Sequence, residues 1–248
     1  MSPANDNTVI LITGSNRGIG KGLVERYLQR PNHTVLAGVR FLDRAQSIKD
    51  LPKGKNSYLI PIQIDNLDFE SPQRAFGTLQ ETDGIDHIDV IIANAGMKWL
   101  PNHQSSEVDY EKMVMHFRNN SIGPLALFHA ATPWLSKSDK MGRHPKFVAV
   151  SSTDGSIELA KDGSLEYSAS KSALNMITRQ IHLHHEWLIA FPIHPGWVQT
   201  AMGTDLWAHD AGISVKESAE GIMKVVDSAT REATSGHFMK YDGGEAPW

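Results

Sequence analysis

The sequence contains no cysteine among its 248 residues. This absence excludes disulfide bonds, cysteine nucleophiles, iron–sulfur clusters and cysteine-ligated zinc. Because no histidine–glutamate pattern of the H-E-x-x-H kind is present either, we predict no metal site. Hydrophobic residues make up 40% of the chain, which is enough for a core that needs neither disulfides nor metal.

Long apolar runs and concentrated charge are also missing. No stretch approaches the roughly 18 apolar residues of a membrane-spanning helix, and the first residues lack the basic start and apolar centre of a signal peptide. The chain has 24 basic and 28 acidic residues and no basic cluster, which argues against a nucleic-acid surface. We therefore expect a cytoplasmic protein with neither a membrane nor a nucleic-acid partner.

Short β-branched runs alternate with longer helical patterns along the whole chain. This alternation predicts an α/β fold, a doubly wound (Rossmann) parallel sheet with helices on both faces, in a single domain over residues 1–248. Two long irregular stretches, at about 153–164 and 195–213, each follow a predicted strand. Ligands bind at the carboxyl ends of strands in such sheets, so we expect these two loops to meet the substrate.

The first predicted strand leads directly into a glycine-rich turn, Thr13-Gly14-Ser15-Asn16-Arg17-Gly18-Ile19-Gly20. Glycine allows a sharp turn and close approach of a pyrophosphate, and the helix that follows offers unpaired N–H groups to it. The spacing is neither G-x-G-x-x-G nor that of a P-loop. Taken alone, such a turn is also compatible with a plain connection between a strand and a helix.

The spacing T-G-x-x-x-G-x-G is that of the short-chain dehydrogenase/reductase family, which the chain resembles from end to end. Further family signatures occur in the family's order, each at the end of the matching element. They are Asn94-Ala95-Gly96, Asn120 three residues before Gly123, Ser151-Ser152, Tyr167-Ser168-Ala169-Ser170-Lys171, and Pro195-Gly196-Trp197-Val198-Gln199-Thr200. The resemblance implies an oxidoreductase with a nicotinamide cofactor.

Tyr167 and Lys171 are four residues apart and therefore share one face of a helix. A nearby ammonium group is expected to lower the pKa of the phenol, so that Tyr167 can exchange a proton with a carbonyl oxygen. The resemblance assigns these roles to Tyr167 and Lys171, gives Ser152 the task of holding that oxygen, and gives Asn120 a water linking Lys171 to solvent. Ser151 stays open as an alternative; Ser152 is favoured because it stands three residues before Gly155.

The choice of cofactor depends on the end of the second predicted strand. NAD requires a carboxylate there for the ribose 2′-hydroxyl, whereas NADP requires a cation. The strand ends at Arg40 with no acid before Asp43, and Arg17 lies in the glycine turn, so we predict NADPH/NADP⁺ bound by two guanidinium groups. The resemblance implies further cofactor contacts from Gly14, Asn16, Gly18, Ile19, Gly20, Asp65, Asn94, Ala95, Gly96, Tyr167, Lys171, Pro195, Gly196, Val198 and Thr200.

Less general stretches are similar to the fungal norsolorinic acid ketoreductases, among them Leu28-Gln29-Arg30-Pro31, Glu186-Trp187-Leu188 and residues 196–203. This resemblance implies reduction of a ketone on an aromatic polyketide in secondary metabolism. A flat apolar substrate needs apolar walls. The candidates for those walls are Met97, Trp99, Ile157, Trp197, Met202, Leu206 and Trp207.

Three other functions remain open from the sequence. They are a broad-specificity carbonyl reductase, an NADP-linked alcohol dehydrogenase working in the opposite direction, and a non-catalytic NADPH-binding regulator. The regulator is disfavoured because all four family positions carry the expected residue types. The resemblance also implies a homodimer or homotetramer built on the long helical patterns at 108–134 and 165–185.

Overall fold

Seven strands of the described chain form one sheet in which every neighbouring pair is parallel. The structure is a computed structural model and describes residues 6–82, 85–99, 105–204 and 212–248. The strand order is β3-β2-β1-β4-β5-β6-β7. The strands are β1 (Thr8–Thr13), β2 (His33–Val39), β3 (Tyr58–Gln63), β4 (Val90–Ala93), β5 (Lys146–Val150), β6 (Ile189–His194) and β7 (Met239–Lys240).

Helices cover both faces of this sheet. They are α1 (Gly18–Gln29), α2 (Gln46–Lys49), α3 (Ser71–Thr82), α4 (Tyr110–Phe117), α5 (Gly123–Lys140), α6 (Leu165–His184), α7 (Ala201–Thr204) and α8 (Val215–Ser228). Ile10 and Ile12 pack with apolar residues of α1 and α8, whereas Val9 and Leu11 pack with those of α3, α5 and α6. This two-sided burial explains the unbroken apolar run of β1, and it confirms the predicted doubly wound α/β fold.

The long helical pattern predicted at 108–134 is interrupted by a π-helical turn, Arg118–Ile122, which lies between α4 and α5. Immediately after it, a Cβ atom on Gly123 would lie 2.6 Å from the Cβ of Asn66. The long helical pattern is therefore broken by a change of helical winding, followed by a close approach of two backbones. The π turn carries Asn120.

Both predicted irregular stretches follow strands, as expected, but each contains a short helix. A 3₁₀ turn, Thr153–Gly155, opens the first, and α7 lies within the second. A parallel bridge between Val198 and Ile213 fixes the two ends of the second stretch; residues 205–211 lie outside the described chain. Within the described residues, no helix is both long and apolar enough to cross a bilayer.

Candidate active site

The glycine turn lies at the carboxyl end of β1, beside β4, where the strand order reverses. Gly14 and Gly18 have positive φ values of +68° and +54°, a backbone region that favours glycine. A Cβ atom on Gly20 would lie 2.2 Å from the carbonyl oxygen of Gly14. The first turn of α1 therefore packs so closely on the preceding backbone that only glycine fits, leaving a cradle lined by main chain.

The segment that follows β4 is hydrogen-bonded to this cradle. The Nδ2 of Asn94 donates to the carbonyl oxygen of Thr13 at 2.9 Å, and the backbone N–H of Ala95 donates to Oγ1 of Thr13 at 3.0 Å. Asp65 lies after β3 at the same edge, with Oδ1 accepting from the backbone N–H of Leu67 at 3.0 Å. The structure thus brings the predicted residues of three different strands to one edge of the sheet.

Three arginines follow β2 or flank the glycine turn. The guanidinium groups of Arg40 and Arg44 lie 5.0 and 5.2 Å from the ring centroid of Phe41. The hydroxyl of Ser47 donates to the carbonyl oxygen of Asn16 at 2.8 Å, which places this segment beside the glycine turn that carries Arg17. Arg17 and Arg40 are the predicted cofactor-binding arginines. Arg44, four residues beyond Arg40, shares the Phe41 ring with it.

The segment after β6 folds back over the glycine turn. The Cγ2 of Thr200 lies 3.3 Å from the position of a Cβ on Gly18. Gly196 has a φ of +86°, and a Cβ there would lie 2.4 Å from Cδ1 of Ile213. The carbonyl oxygen of Pro195 accepts from the hydroxyl of Ser218 in α8 at 2.6 Å. These contacts hold the predicted segment 195–200 over the cradle.

Ser152, Tyr167 and Lys171 converge beside this segment. The hydroxyl of Ser152 lies near the phenol of Tyr167 and acts to lower its pKa, and the Nζ of Lys171 lies 5.7 Å from the Tyr167 ring centroid. Ser151 is buried and donates to Oδ1 of Asn175 at 2.6 Å, so its hydroxyl points into the helix packing. Of the two serines, the structure brings Ser152 to the tyrosine.

Burial dominates the charge states of the pair. It raises the pKa of Tyr167 above its ordinary value of 10.0, and the charge of Asp154 acts in the same sense. Burial also lowers the pKa of Lys171 to about 8, while its Nζ donates to the carbonyl oxygen of Val150 at 2.8 Å. The pKa of the phenol is therefore raised in this structure and not lowered as expected, and the phenol is protonated at neutral pH.

Asn120 is fully buried, and its side chain is saturated with hydrogen bonds inside the protein. Its Nδ2 donates to the carbonyl oxygen of Met97 at 2.9 Å and to Oγ of Ser170 at 3.0 Å. Its Oδ1 accepts from the N–H of Met97 and from Nδ2 of Asn119, both at 2.9 Å. An amide side chain has two donors and two lone pairs, so the hydrogen-bonding capacity of this one is fully used within the protein.

Comparison with known proteins places this geometry in one family. Residues 8–211 match the family model described as short chain dehydrogenase. The chain belongs to the short-chain dehydrogenase family. A short-chain dehydrogenase from Pyricularia oryzae is 36% identical, with 98% of this chain and 99% of that protein covered. The norsolorinic acid ketoreductase of Aspergillus parasiticus is also 36% identical, with 98% and 92% covered.

Solved structures agree with this assignment. The NADPH-bound carbonyl reductase from chicken fatty liver is 30% identical and superposes with a TM-score of 0.87 over 98% of this chain and 99% of that one. The carbonyl reductase Sniffer of Drosophila melanogaster is 28% identical with a TM-score of 0.86, covering 98% and 100% of the two chains. The protein is an oxidoreductase.

Residues outside the family signatures also lie beside Tyr167 and beside the turn that follows β5. Lys98 lies over its ring, with Nζ 4.9 Å from the centroid, and forms an ion pair with Asp154 at 3.3 Å. His194, at the end of β6, accepts from the backbone N–H of Thr153 at 3.1 Å. Sequence reasoning missed these residues because nothing in their local pattern distinguishes them from surface charges.

His116 is a further missed residue and links the tyrosine to the proposed pocket wall. It is buried; its Nδ1 bonds the carbonyl oxygen of Lys112 at 2.8 Å, and its Nε2 accepts from the backbone N–H of Trp99 at 3.3 Å. The His116 ring centroid is 5.7 Å from that of Trp99 and 6.4 Å from that of Tyr167. Burial lowers its pKa, so the neutral ring positions Trp99 beside the site.

Several of the predicted pocket residues are large, apolar and exposed. Trp99, Ile157 and Trp197 are 40%, 80% and 48% exposed, and Met202 is also exposed; Met97 is half-buried. Leu206 and Trp207 lie outside the described residues. The backbone N–H of Glu158 donates to the carbonyl oxygen of Trp248 at 3.0 Å, which ties the loop carrying Ile157 to the other end of the chain.

Proposed function

We propose that the protein is a cytoplasmic, NADPH-dependent ketoreductase that reduces a bulky aromatic ketone of the polyketide type in secondary metabolism. The observation that carries this proposal is the approach of Ser152 and Lys171 to Tyr167. The large and exposed side chain of Trp99 is held near the same ring by His116. Large exposed apolar groups beside a reactive centre are suited to a flat apolar ligand. The similarity to norsolorinic acid ketoreductases, at 34–36% identity over nearly the whole chain, supports the same substrate class.

NADP(H) is the cofactor of this proposal. A pyrophosphate would bind the main-chain N–H groups at the start of α1. The turn that presents them requires glycine, because a Cβ on Gly14 or Gly20 would meet backbone or Asn94. The arginines that flank it, Arg17 and Arg40, would bind the 2′-phosphate. When bound, NADPH supplies the hydride that reaches the carbonyl carbon.

The chain's own residues would then handle the oxygen of the ketone. Ser152 would donate a hydrogen bond to that oxygen, and the protonated phenol of Tyr167 would transfer its proton to the developing alkoxide. Lys171, held in place by the carbonyl oxygen of Val150, would supply positive charge beneath the phenol as that proton leaves. Burial of Tyr167 and Lys171 excludes bulk water from the transfer.

A broad-specificity carbonyl reductase is the second candidate. It is favoured by the structural neighbours, since the proteins with TM-scores of 0.87 and 0.86 are both carbonyl reductases. Under this alternative the exposed tryptophans would pack against other segments, and small ketones would react as well as large ones.

Steady-state kinetics distinguish the two candidates. We expect kcat/KM with NADPH and an anthraquinone-type ketone to exceed that for a small aliphatic ketone by at least tenfold. Equal values, or a preference for the small ketone, would favour the broad reductase.

Ser152→Ala should lower kcat by about 10²-fold or more, as loss of an oxyanion donor does. Ser151→Ala is the matched control and should act mainly on stability.

A homodimer or homotetramer is the assembly we infer. Exposed apolar side chains lie on the helices that were expected to form the interface, among them Tyr110 and Val114 on α4, Leu125 on α5, and Met176 and Leu183 on α6. Light scattering should give a mass at least twice that of the chain, and Met176→Glu should reduce it. A monomer at micromolar concentration would contradict the inference.

A further inference from the structure

A second lysine, outside the family signatures, approaches the reactive tyrosine. The Nζ of Lys98 lies 4.9 Å from the Tyr167 ring centroid, closer than the Nζ of Lys171 at 5.7 Å. Lys98 follows β4 by five residues, whereas its ion-pair partner Asp154 belongs to the 3₁₀ turn after β5. Their side chains are 18% and 45% exposed, so the pair is partly sheltered at the mouth of the site.

Asp154 is the carboxylate that acts on the whole site. Burial is the largest cause of the pKa shifts of Tyr167, Lys171 and His194. The negative charge of Asp154 adds to the rise at Tyr167 and opposes the fall at Lys171 and His194. A carboxylate near a phenol disfavours the phenolate, and a nearby ammonium group favours it. Lys98 supplies that ammonium group at 3.3 Å from Oδ2 of Asp154 and over the face of the phenol ring.

We propose that Lys98 is a positioning residue that acts through Tyr167: its ammonium group neutralises Asp154 and thereby eases release of the phenol proton to the substrate. The consequence for turnover rests on the proposed ketoreductase function. The effect on the proton affinity of Tyr167 depends on the geometry alone and is open to test without a substrate.

The other groups that face Tyr167 come from each neighbouring element. Lys171 lies one turn further along α6, and Glu166 precedes the tyrosine there and accepts from the Ser164 hydroxyl at 3.2 Å. His116 faces the ring from α4 and is kept neutral by burial. The hydroxyl of Ser152 faces it from the end of β5. These groups are common to the variants compared below.

A purely mechanical role for the pair predicts a different result. If the ion pair only braced the segment after β4 against the turn after β5, removing either partner would loosen the site in the same way. The electrostatic role predicts opposite signs: Lys98→Met leaves Asp154 uncompensated and raises the pKa of Tyr167, whereas Asp154→Asn lowers it. For a partly exposed pair we expect shifts of about 0.5 to 1 unit each, below the 1–3 units of sheltered pairs.

The experiment is a ¹⁹F NMR titration of protein labelled with 3-fluorotyrosine, whose fluorine lowers the ionisation range of all five tyrosines. Loss of one resonance in Tyr167→Phe assigns the signal. Its midpoint is then compared in the unmodified sequence, in Lys98→Met and in Asp154→Asn. Lys137→Met is the matched control because Lys137 pairs with Asp86 before β4, at the opposite edge of the sheet, and it should leave the Tyr167 midpoint unchanged.

Opposite displacements of the Tyr167 midpoint, with the other four resonances unmoved, would support the proposal. Displacements of the same sign, no displacement, or a Tyr167 signal that stays protonated in Asp154→Asn to the limit of stability would overturn it. Because this readout needs no turnover, it stands even if no ketone is reduced. If ketones are reduced, the alkaline limb of the pH profile for alcohol oxidation should move in the same two directions.

Discussion

His194 makes the stability of the protein depend on pH in a calculable way. Its Nδ1 accepts from the N–H of Thr153 at 3.1 Å, so the ring is neutral with its proton on Nε2. Protonation of Nδ1 would place its N–H opposite the backbone N–H of Thr153, so that two donors would face each other. Burial, the largest cause, lowers the pKa of His194 from 6.5 to about 4.

The sign and size of the effect follow from this shift. Below pH 6.5, His194 binds a proton in the unfolded chain but stays neutral in the folded chain. The free energy of unfolding therefore falls as the pH falls from about 6.5 towards 4. The full shift corresponds to about 3 kcal/mol at 1.36 kcal/mol per unit. Between pH 7 and pH 5 the linkage relation gives a loss of about 2 kcal/mol from this residue.

Urea unfolding at pH 7 and pH 5 measures the loss. In His194→Asn, Oδ1 can accept the same N–H and does not titrate, so the variant should lose about 2 kcal/mol less than the unmodified protein between the two pH values. Other histidines contribute equally to both and cancel. His184→Asn, at the exposed end of α6, is the control and should not change the difference. Equal losses in the unmodified protein and His194→Asn would refute the reasoning.

Four further predictions concern the proton donor, the cofactor and the effect of chelators. Tyr167→Phe should reduce kcat/KM to below about a tenth while NADPH affinity, measured by fluorescence titration, changes little, because only the hydroxyl is removed; higher residual activity would exclude Tyr167 as the acid. Gly20→Ala places a Cβ 2.2 Å from the Gly14 carbonyl oxygen and should weaken NADPH binding at least tenfold, whereas Gly77→Ala on α3, where a Cβ meets nothing within 4 Å, should bind normally. Arg40→Asp should shift the NADPH/NADH ratio of kcat/KM roughly ten- to a hundredfold towards NADH, and an unchanged ratio would show that another group selects the cofactor; chelators should have no effect on any of these rates.

Much of the fold could be predicted from the sequence because its information is local. Buried parallel strands are continuous apolar runs. The runs at 8–13, 34–39 and 146–151 predict three strands, and β1, β2 and β5 begin and end within a residue of them. The glycine spacing reports steric limits that any strand-to-helix turn of this kind must meet. The last strand is harder to predict from the sequence. It is the edge strand β7, which has only two residues, Met239–Lys240, and a run that short shows no repeating pattern.

Only the tertiary structure decided how the site's side chains are used. Ser151 and Ser152 are neighbours in sequence, yet the Ser151 hydroxyl donates to Asn175 and the Ser152 hydroxyl lies near Tyr167. The two side chains separate because successive residues leaving a strand point to opposite sides. The full hydrogen-bonding of Asn120 and the approach of Lys98 to Asp154 join segments that are 23 and 56 residues apart. Burial then reversed the expected direction of the Tyr167 pKa shift. Burial and long-range charge are properties of packed elements, and a residue pattern along the chain does not contain them.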